Sequence, residues 1–263
     1  GCVLHVDQAV ASQKNIKPCN WMQIVDNVPD IVHVDYLHAS SSGIQFFDRD
    51  GRPMTELLDP AVLDFMETPR GVQAIETRRV GDHIWSRQLE TIVPNIANLT
   101  RVPVLPPKYN EGKTEMCGIP KTFRWRVPID DTNTVEFHFY RFREGSDDSL
   151  PQSNAAPGSQ IGGRPYEETQ RNPGDYEAQI GQRPIAVHAL EHLGATDKGV
   201  IMYRQMVREG IQAVKMGEDP VGVYRDTKGV IPTSCNDSVV YMPPALNPEE
   251  DKRLLRETGR KLA

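Results

Sequence analysis

The sequence predicts an α+β domain in which a curved antiparallel sheet wraps a helix and encloses a ligand cavity, and three observations carry that prediction. Apolar residues recur with helical spacing near the start of the chain. From about residue 44 to 142 they recur in period two, the mark of half-buried strands. A long helical run returns only after residue 196.

The elements follow in order. Trp21, Ile24, Val25 and Val28 recur as on a helix, and Pro29 suits the start of a second helical segment holding Asp30 and His33. Val72, Ala74 and Ile75 before Arg78 and Arg79, and then His83 to Val93, read as strands. Phe123, Trp125, Val127 and Ile129, a polar turn at Asp130 to Asn133, and Val135, Phe137 and Phe139 read as a hairpin with its aromatic face in the core. Residues 144 to 175 are rich in Gly and Pro and read as a long ordered loop or a lid. Thr196 is placed to cap a helix carrying Val200, Ile201, Tyr203, Met206, Val207, Ile211 and Val214, which Gly217 and Pro220 stop. A short charged helix from Pro248, anchored by Leu254 and Leu255, ends the chain.

Composition bounds the function. At 263 residues with 38% hydrophobic and 25% charged residues, the chain reads as one soluble globular domain over residues 1–263. A net charge of −6 and the lack of a basic stripe argue against nucleic acid or an anionic membrane as partner. No apolar run is long enough to span a bilayer and no secretory signal is apparent, so a cytoplasmic location is expected. Cys2, Cys19, Cys117 and Cys235 lie far apart and suit thiols in a reducing compartment. The chain opens on Gly1 rather than Met, as a processed or truncated piece of a longer protein would.

The chemistry concentrates in Asp30-Ile-Val-His33-Val-Asp-Tyr-Leu-His38. Neutral imidazole is the commonest protein metal ligand, and two histidines with one carboxylate on one face of an ion leave positions open for O2 and substrate. On a continuous α-helix a step of five residues overshoots one full turn by about 140°. Both imidazoles therefore meet one ion only if the helix ends or loosens near Asp35 to His38. Asp197, in the first turn of the long helix, sits where the helix dipole favours a carboxylate and where a ligand is held rigidly. Asp30, one turn before His33, is placed to orient an imidazole N–H. Zinc is the competing metal, although the chain lacks the His-Glu-x-x-His of metalloproteases.

Asn20-Trp-x-Gln, then Asp-Asn and Asp30-x2-His33-x4-His38, resembles the mononuclear-iron segment of Rieske non-haem iron aromatic-ring oxygenases. Glu191-His-Leu-Gly-Ala-Thr-Asp197-Lys-Gly-Val-Ile-Met-Tyr-Arg resembles the third-ligand helix of the phthalate dioxygenase and dehydrodivanillate O-demethylase branch. The resemblance implies that His33, His38 and Asp197 bind Fe(II). It implies that Asp30 is the carboxylate linking the iron to a neighbouring subunit's Rieske cluster, and that the fold is a helix-grip. It further implies ring assemblies such as trimers, a reductase, and oxidation of an aromatic substrate by O2, as ring hydroxylation or O-demethylation. A [2Fe–2S] Rieske cluster needs both Cys-x-His and Cys-x2-His. None of the four cysteines is read as opening either half of that pair, so the Rieske domain is expected on another segment or chain.

Inward strand residues such as Trp85, Phe123, Trp125 and Phe137 are expected to wall the cavity, and an arginine such as Arg124, Arg126 or Arg164 to clamp the carboxylate of an acidic substrate. Two rival readings use the same fold: a metal-free protein that binds a small apolar ligand, and a zinc hydrolase built on the same triad.

Overall fold

The computed structural model describes residues 8–41, 43–46, 53–99, 114–118, 122–143, 163–225 and 231–263. In chain order these form β1 (Gln8–Lys17), α1 (Trp21–Asp26), α2 (His33–Asp35), β2 (Val62–Thr68), β3 (Gly71–Val80), β4 (His83–Ile92), β5 (Ile96–Leu99), β6 (Thr114–Gly118), β7 (Thr122–Asp130), β8 (Asn133–Arg143), α3 (Tyr166–Arg171), α4 (Asp175–Ile180), α5 (Lys198–Lys215), β9 (Asn236–Tyr241) and α6 (Pro248–Leu262). The strands build one antiparallel sheet in the order β1-β8-β7-β5-β4-β3-β2. Strand β4 forks: its first half pairs with β9, which in turn pairs with β6, and its last residues pair with β5. The α+β expectation holds.

Burial fixes what lies on each face. On the inner face, Val72 packs with Val25 of α1 and Tyr203, Met206 and Val207 of α5. Beside it Ala74 and Leu89 pack with Ile31 and Phe65. Trp85, Val239, Met54 and Leu57 meet Val34 and Ala39. On the outer face, α6 lies over β2, β3 and β4, with Leu255 against Val62 and Ile84. A Cβ on Gly259 would collide with the Thr77 hydroxyl, so a glycine there lets α6 lie directly on β3. Asn20 caps α1 by accepting from Met22 N–H at 3.0 Å, and Asn247 caps α6, which has Pro248 at its first position.

Three expectations change. Period two reveals that a strand has two unlike faces, but not which of them is buried. In the β7–β8 hairpin the aromatic face points outward, with Trp125 45% exposed, while Arg126 (1%) and the wholly buried Glu136 and His138 point inward. Phe123, Trp125 and Phe137 therefore do not wall a cavity on the inner face; Trp85 does lie in the core, where its indole N–H donates to Asp237 at 2.5 Å. The inward charges are tolerated because they pair. Glu136 lies 2.8 Å from Arg126 Nε, 3.0 Å from Lys17 Nζ and 2.8 Å from His138 Nε2. Second, the long helix starts one residue after Asp197. Thr196 lies in a 3-10 turn that Asp197 closes by accepting from Gly194 N–H at 2.6 Å. Third, the Gly/Pro-rich stretch is only partly loop. Residues 144–162 lie outside the described residues, and the remainder of the stretch holds α3 and the start of α4. Strands β1 and β9 lie outside the region read as strands, and β2, β5 and β6 lie within it without having been placed individually.

Helix α5 approaches the chain just before the histidines very closely. A Cβ on Gly199 would lie 2.7 Å from the Pro29 carbonyl oxygen and 2.6 Å from the Phe65 ring. Gly199→Ala is expected to lower unfolding free energy by about 1–3 kcal/mol in a urea titration. An unchanged midpoint would show slack at this contact. The buried cluster makes a second prediction. Burial outweighs the neighbouring Glu136 and pushes the His138 pKa from 6.5 down to about 4. Between those values the unfolded chain binds the proton more readily, so the contribution of His138 is complete above about pH 6.5 and is lost as pH falls toward 4, on the order of 3 kcal/mol. His138→Gln should flatten that part of the stability profile; an equally steep fall in the variant would clear His138 of responsibility.

Candidate metal centre

His33 and His38 share one face because the helix changes its winding between them. The α-helical turn His33–Asp35 runs into a π-helical turn over Tyr36–Ser41. Hydrogen bonds from i to i+5 widen the helix, so residues five apart come nearly into line. The two imidazole rings lie 5.4 Å apart, centroid to centroid. This is the loosening that the five-residue spacing demands, and it falls where the sequence placed it.

Each ring is fixed through Nδ1, leaving Nε2 to face the centre. His33 Nδ1–H donates to the Asp30 carbonyl. His38 Nδ1–H donates to Gln45 Oε1 at 2.7 Å, and the Gln45 amide is oriented by its own donation to the Pro173 carbonyl at 3.1 Å. Such outer hydrogen bonds set the tautomer and aim of a ligating imidazole. Both Nε2 atoms then converge on Asp175 Oδ1, 2.9 Å from His38 and 3.4 Å from His33, with Asn27 Nδ2 also 3.2 Å from His33 Nε2. His38 thus stands between two acceptors, whereas a neutral imidazole carries one N–H. The second contact requires positive charge at that point, either a further proton or a metal cation.

Electrostatics agree. Burial works against ionisation of Asp175, but the charge on His38 and the hydrogen bonds from both histidines outweigh it and hold the carboxyl well below the usual range. Burial pulls the His33 pKa down, yet the hydrogen bond to Asp175 overrides it and the net shift is upward. Among the described residues, one nitrogen from each of His33 and His38 and one Asp175 oxygen lie within 4.8 Å of one another. The nitrogen and carboxylate donors suit Fe(II).

The structure therefore brings together His33 and His38 and adds Asp175, which the sequence reading did not single out. It does not put Asp197 in that group. Asp197 is half-buried at the head of α5, bonded to Gly194 N–H and close enough to Asp30 to help burial raise the Asp30 pKa. Asp30 orients His33 through its main-chain carbonyl rather than its carboxylate. The signal for Asp175 was faint: an acid after Pro173-Gly174, opening a short helix inside what composition marks as loop.

Two networks tie the histidine segment to the body of the fold. Arg78 on β3, 1% exposed, pairs with Asp35 between the two histidines and with Glu76. Arg204 on α5 pairs with Asp26 of α1 at 2.6 Å and with Glu191 at 2.6 Å. Among the described residues no helix is long and apolar enough to cross a membrane. Cys19 and Cys235 are buried.

Gln45→Leu, which removes the acceptor for His38 Nδ1–H, is expected to weaken metal binding by about 10–100-fold in a competition titration without changing the far-UV spectrum. Undiminished affinity would mean that His38 does not depend on this bond for its aim.

Comparison with known proteins places the chain in a family. The profile of the vanillate O-demethylase oxygenase C-terminal domain family matches residues 18–160. The oxygenase subunit of tert-butanol monooxygenase / tert-amyl alcohol desaturase from Aquincola tertiaricarbonis is 30% identical over 275 residues, covering 98% of this chain and 57% of that protein. Phenoxybenzoate dioxygenase subunit alpha from Ectopseudomonas oleovorans is 32% identical over 216 residues, covering 79% and 46%. The chain thus spans about half the length of the curated relatives it matches. The solved structure of NdmB from Pseudomonas putida CBB5 shares the fold at a TM-score of 0.51 and 13% identity, over 80% of this chain and 52% of that one. The chain belongs to the vanillate O-demethylase oxygenase C-terminal domain family, the catalytic domain of Rieske non-haem iron oxygenases of the phthalate dioxygenase and dehydrodivanillate O-demethylase branch.

Proposed function

We propose that this chain is the oxygen-activating domain of an O2-dependent system that hydroxylates or O-demethylates an aromatic small molecule, with Fe(II) held by His33, His38 and one carboxylate. The observation that carries the reading is the convergence of two outward-anchored imidazoles on one buried acid. Iron, when bound, supplies the activation of O2. The chain's own residues hold ligand geometry and limit water: His38 and Asp175 are buried, and the segment carrying both histidines is clamped by Arg78.

Two acids stand for the third ligand. Geometry favours Asp175, which already touches both imidazoles. The motif favours Asp197, and its helix is docked on Pro29 beside Asp30. Electrons are assigned to a Rieske cluster outside this domain, carried on another segment or on a partner supplied by a reductase. Cys2-Val-Leu-His5 has the Cys-x2-His spacing, contrary to the expectation that neither half of the pair occurs here, but no Cys-x-His accompanies it. Asp30, half-buried and next to the His33 turn, is assigned as the acid through which the neighbouring cluster communicates. Assembly into a homo-oligomer in a cytoplasmic setting completes the reading.

His33→Ala and His38→Ala are expected to lose iron by more than the roughly 100-fold that an outer hydrogen bond is worth. Full iron in both ends the proposal. Asp175→Asn is expected to lose iron while Asp197→Asn keeps it; the reverse result would give the third position to Asp197 and leave Asp175 as hydrogen-bond partner of the imidazoles. Asp30→Asn should keep its iron yet lose coupled turnover.

A further inference from the structure

Helix α4 carries the acid that meets both imidazoles, yet apolar packing does not fix where it stands. Among the described residues, none of the four hydrophobic clusters includes a residue of α4. Six residues also make too few internal hydrogen bonds to hold a helix by themselves. Its place is therefore set by polar bonds. At its head Arg164 donates to Glu177 at 2.7 Å, and Gln45 donates to the Pro173 carbonyl just before it.

At its tail the bonds come from Gln23 of α1, which is 3% exposed. Gln23 Nε2 donates to the Gln179 carbonyl at 3.1 Å and to the Arg183 carbonyl at 3.0 Å, and Oε1 accepts from Ala186 N–H at 2.8 Å. One side chain thus binds a carbonyl of the last helical turn and two main-chain groups of the loop behind it. Within that loop Arg183 holds φ at 80°, which is unfavourable for a residue with a Cβ and persists where surrounding bonds over-determine the backbone. Gln23 lies on the stretch of chain that runs on to His33 and His38, and Gln179 is 156 positions away. The contact therefore registers the element that precedes the imidazoles against the one that carries their acid. Asp175 and Gln179 are about one helical turn apart, so a tail that swings takes the head with it.

We propose that Gln23 is a positioning residue for the metal centre: by fixing the tail of α4 it sets where the Asp175 carboxylate stands relative to His33 and His38. This rests on the reading that those three residues hold the metal.

The test is a competition titration of Co(II) against a chelator, Co(II) standing in for Fe(II) because its d–d bands report its ligand set. Gln23→Met keeps the length of the side chain and gives up all three bonds. Gln23→Glu keeps the acceptor for Ala186 N–H and gives up both donations. In each, affinity is expected to fall about tenfold, the low end of what an outer hydrogen bond is worth, with shifted bands and an unchanged far-UV spectrum. In an Asp175→Asn background, where affinity is already low, Gln23→Met is expected to cost nothing further. Parent affinity and parent bands in Gln23→Met, or in Gln23→Glu where the first variant does not fold, overturn the inference, because a merely structural role lowers the urea midpoint and leaves the bound metal alone. So does a tenfold loss that recurs in full on top of Asp175→Asn, and so does parent affinity in Asp175→Asn itself, which leaves Gln23 nothing to position. His33→Ala, measured alongside, separates the two readings. Co(II) bound as tightly by His33→Ala as by the parent sinks the metal centre whatever Gln23 does, whereas a parent that binds Co(II) through His33 and is indifferent to Gln23 sinks the positioning role alone.

Discussion

Two imidazoles five residues apart share a cation only where the helix carrying them is wider than an α-helix, and this requirement organises the molecule. A π-helical turn has poorer hydrogen-bond geometry than an α-helical one and persists where tertiary contacts hold it. Here those contacts come from every side. Ile31 is packed by Phe65 and Leu89, Val34 and Ala39 by Trp85 and Leu57, and Asp35 by Arg78. Gly199 brings α5 onto Pro29, and Arg204 binds α5 back to α1. The sheet and the long helix act as the frame that keeps one unfavourable turn in place.

The charged inner face follows a related logic. Burying Lys17, Arg126 and Glu136 costs desolvation that ion pairs seldom repay in full, and apolar residues of similar volume would stabilise the fold at least as well. Charge retained at that cost points to a role in recognition or catalysis rather than in stability. Buried charge occurs on both halves of the inner face: Val72, Ala74 and Leu89 lie under α1 and α5, but Glu76 and Arg78 follow them on the same face of β3 as a buried pair.

Much of this was legible before any coordinates. The early helix after Asn20, the strands of β3 and β4, the β7–β8 hairpin, the long late helix and the need for a break before His38 all rest on local chemistry, and local chemistry decided them. What stayed hidden depends on partners far away in sequence. Arg126 reads as one of three arginines that could clamp a carboxylate, and nothing local in sequence shows that Glu136 and Lys17 stand beside it. Trp125 reads as core until the opposite face proves to be the buried one. Asp175 reads as a loop acid because α4 is six residues long, too short for a periodic signal. Strand β1 escaped notice for the same kind of reason, since its ladder to β8 joins residues more than a hundred positions apart.

That short helix links the two polar regions mechanically. Its first residue, Asp175, meets both imidazoles, and Gln179, one turn later, holds Lys17, while Gln23 of α1 donates to the Gln179 carbonyl at 3.1 Å. A carboxylate drawn to two imidazoles marks where positive charge is favoured, whichever acid finally ligates. If Asp197 takes the third position, Asp175 becomes the group that orients both imidazoles, and its attachment to α4 still couples the metal to the basic cluster. Lys17, which also pairs with Glu136, is tied through Gln179 to the helix that carries Asp175. The basic cluster and the carboxylate that meets both imidazoles are therefore joined by one turn of helix.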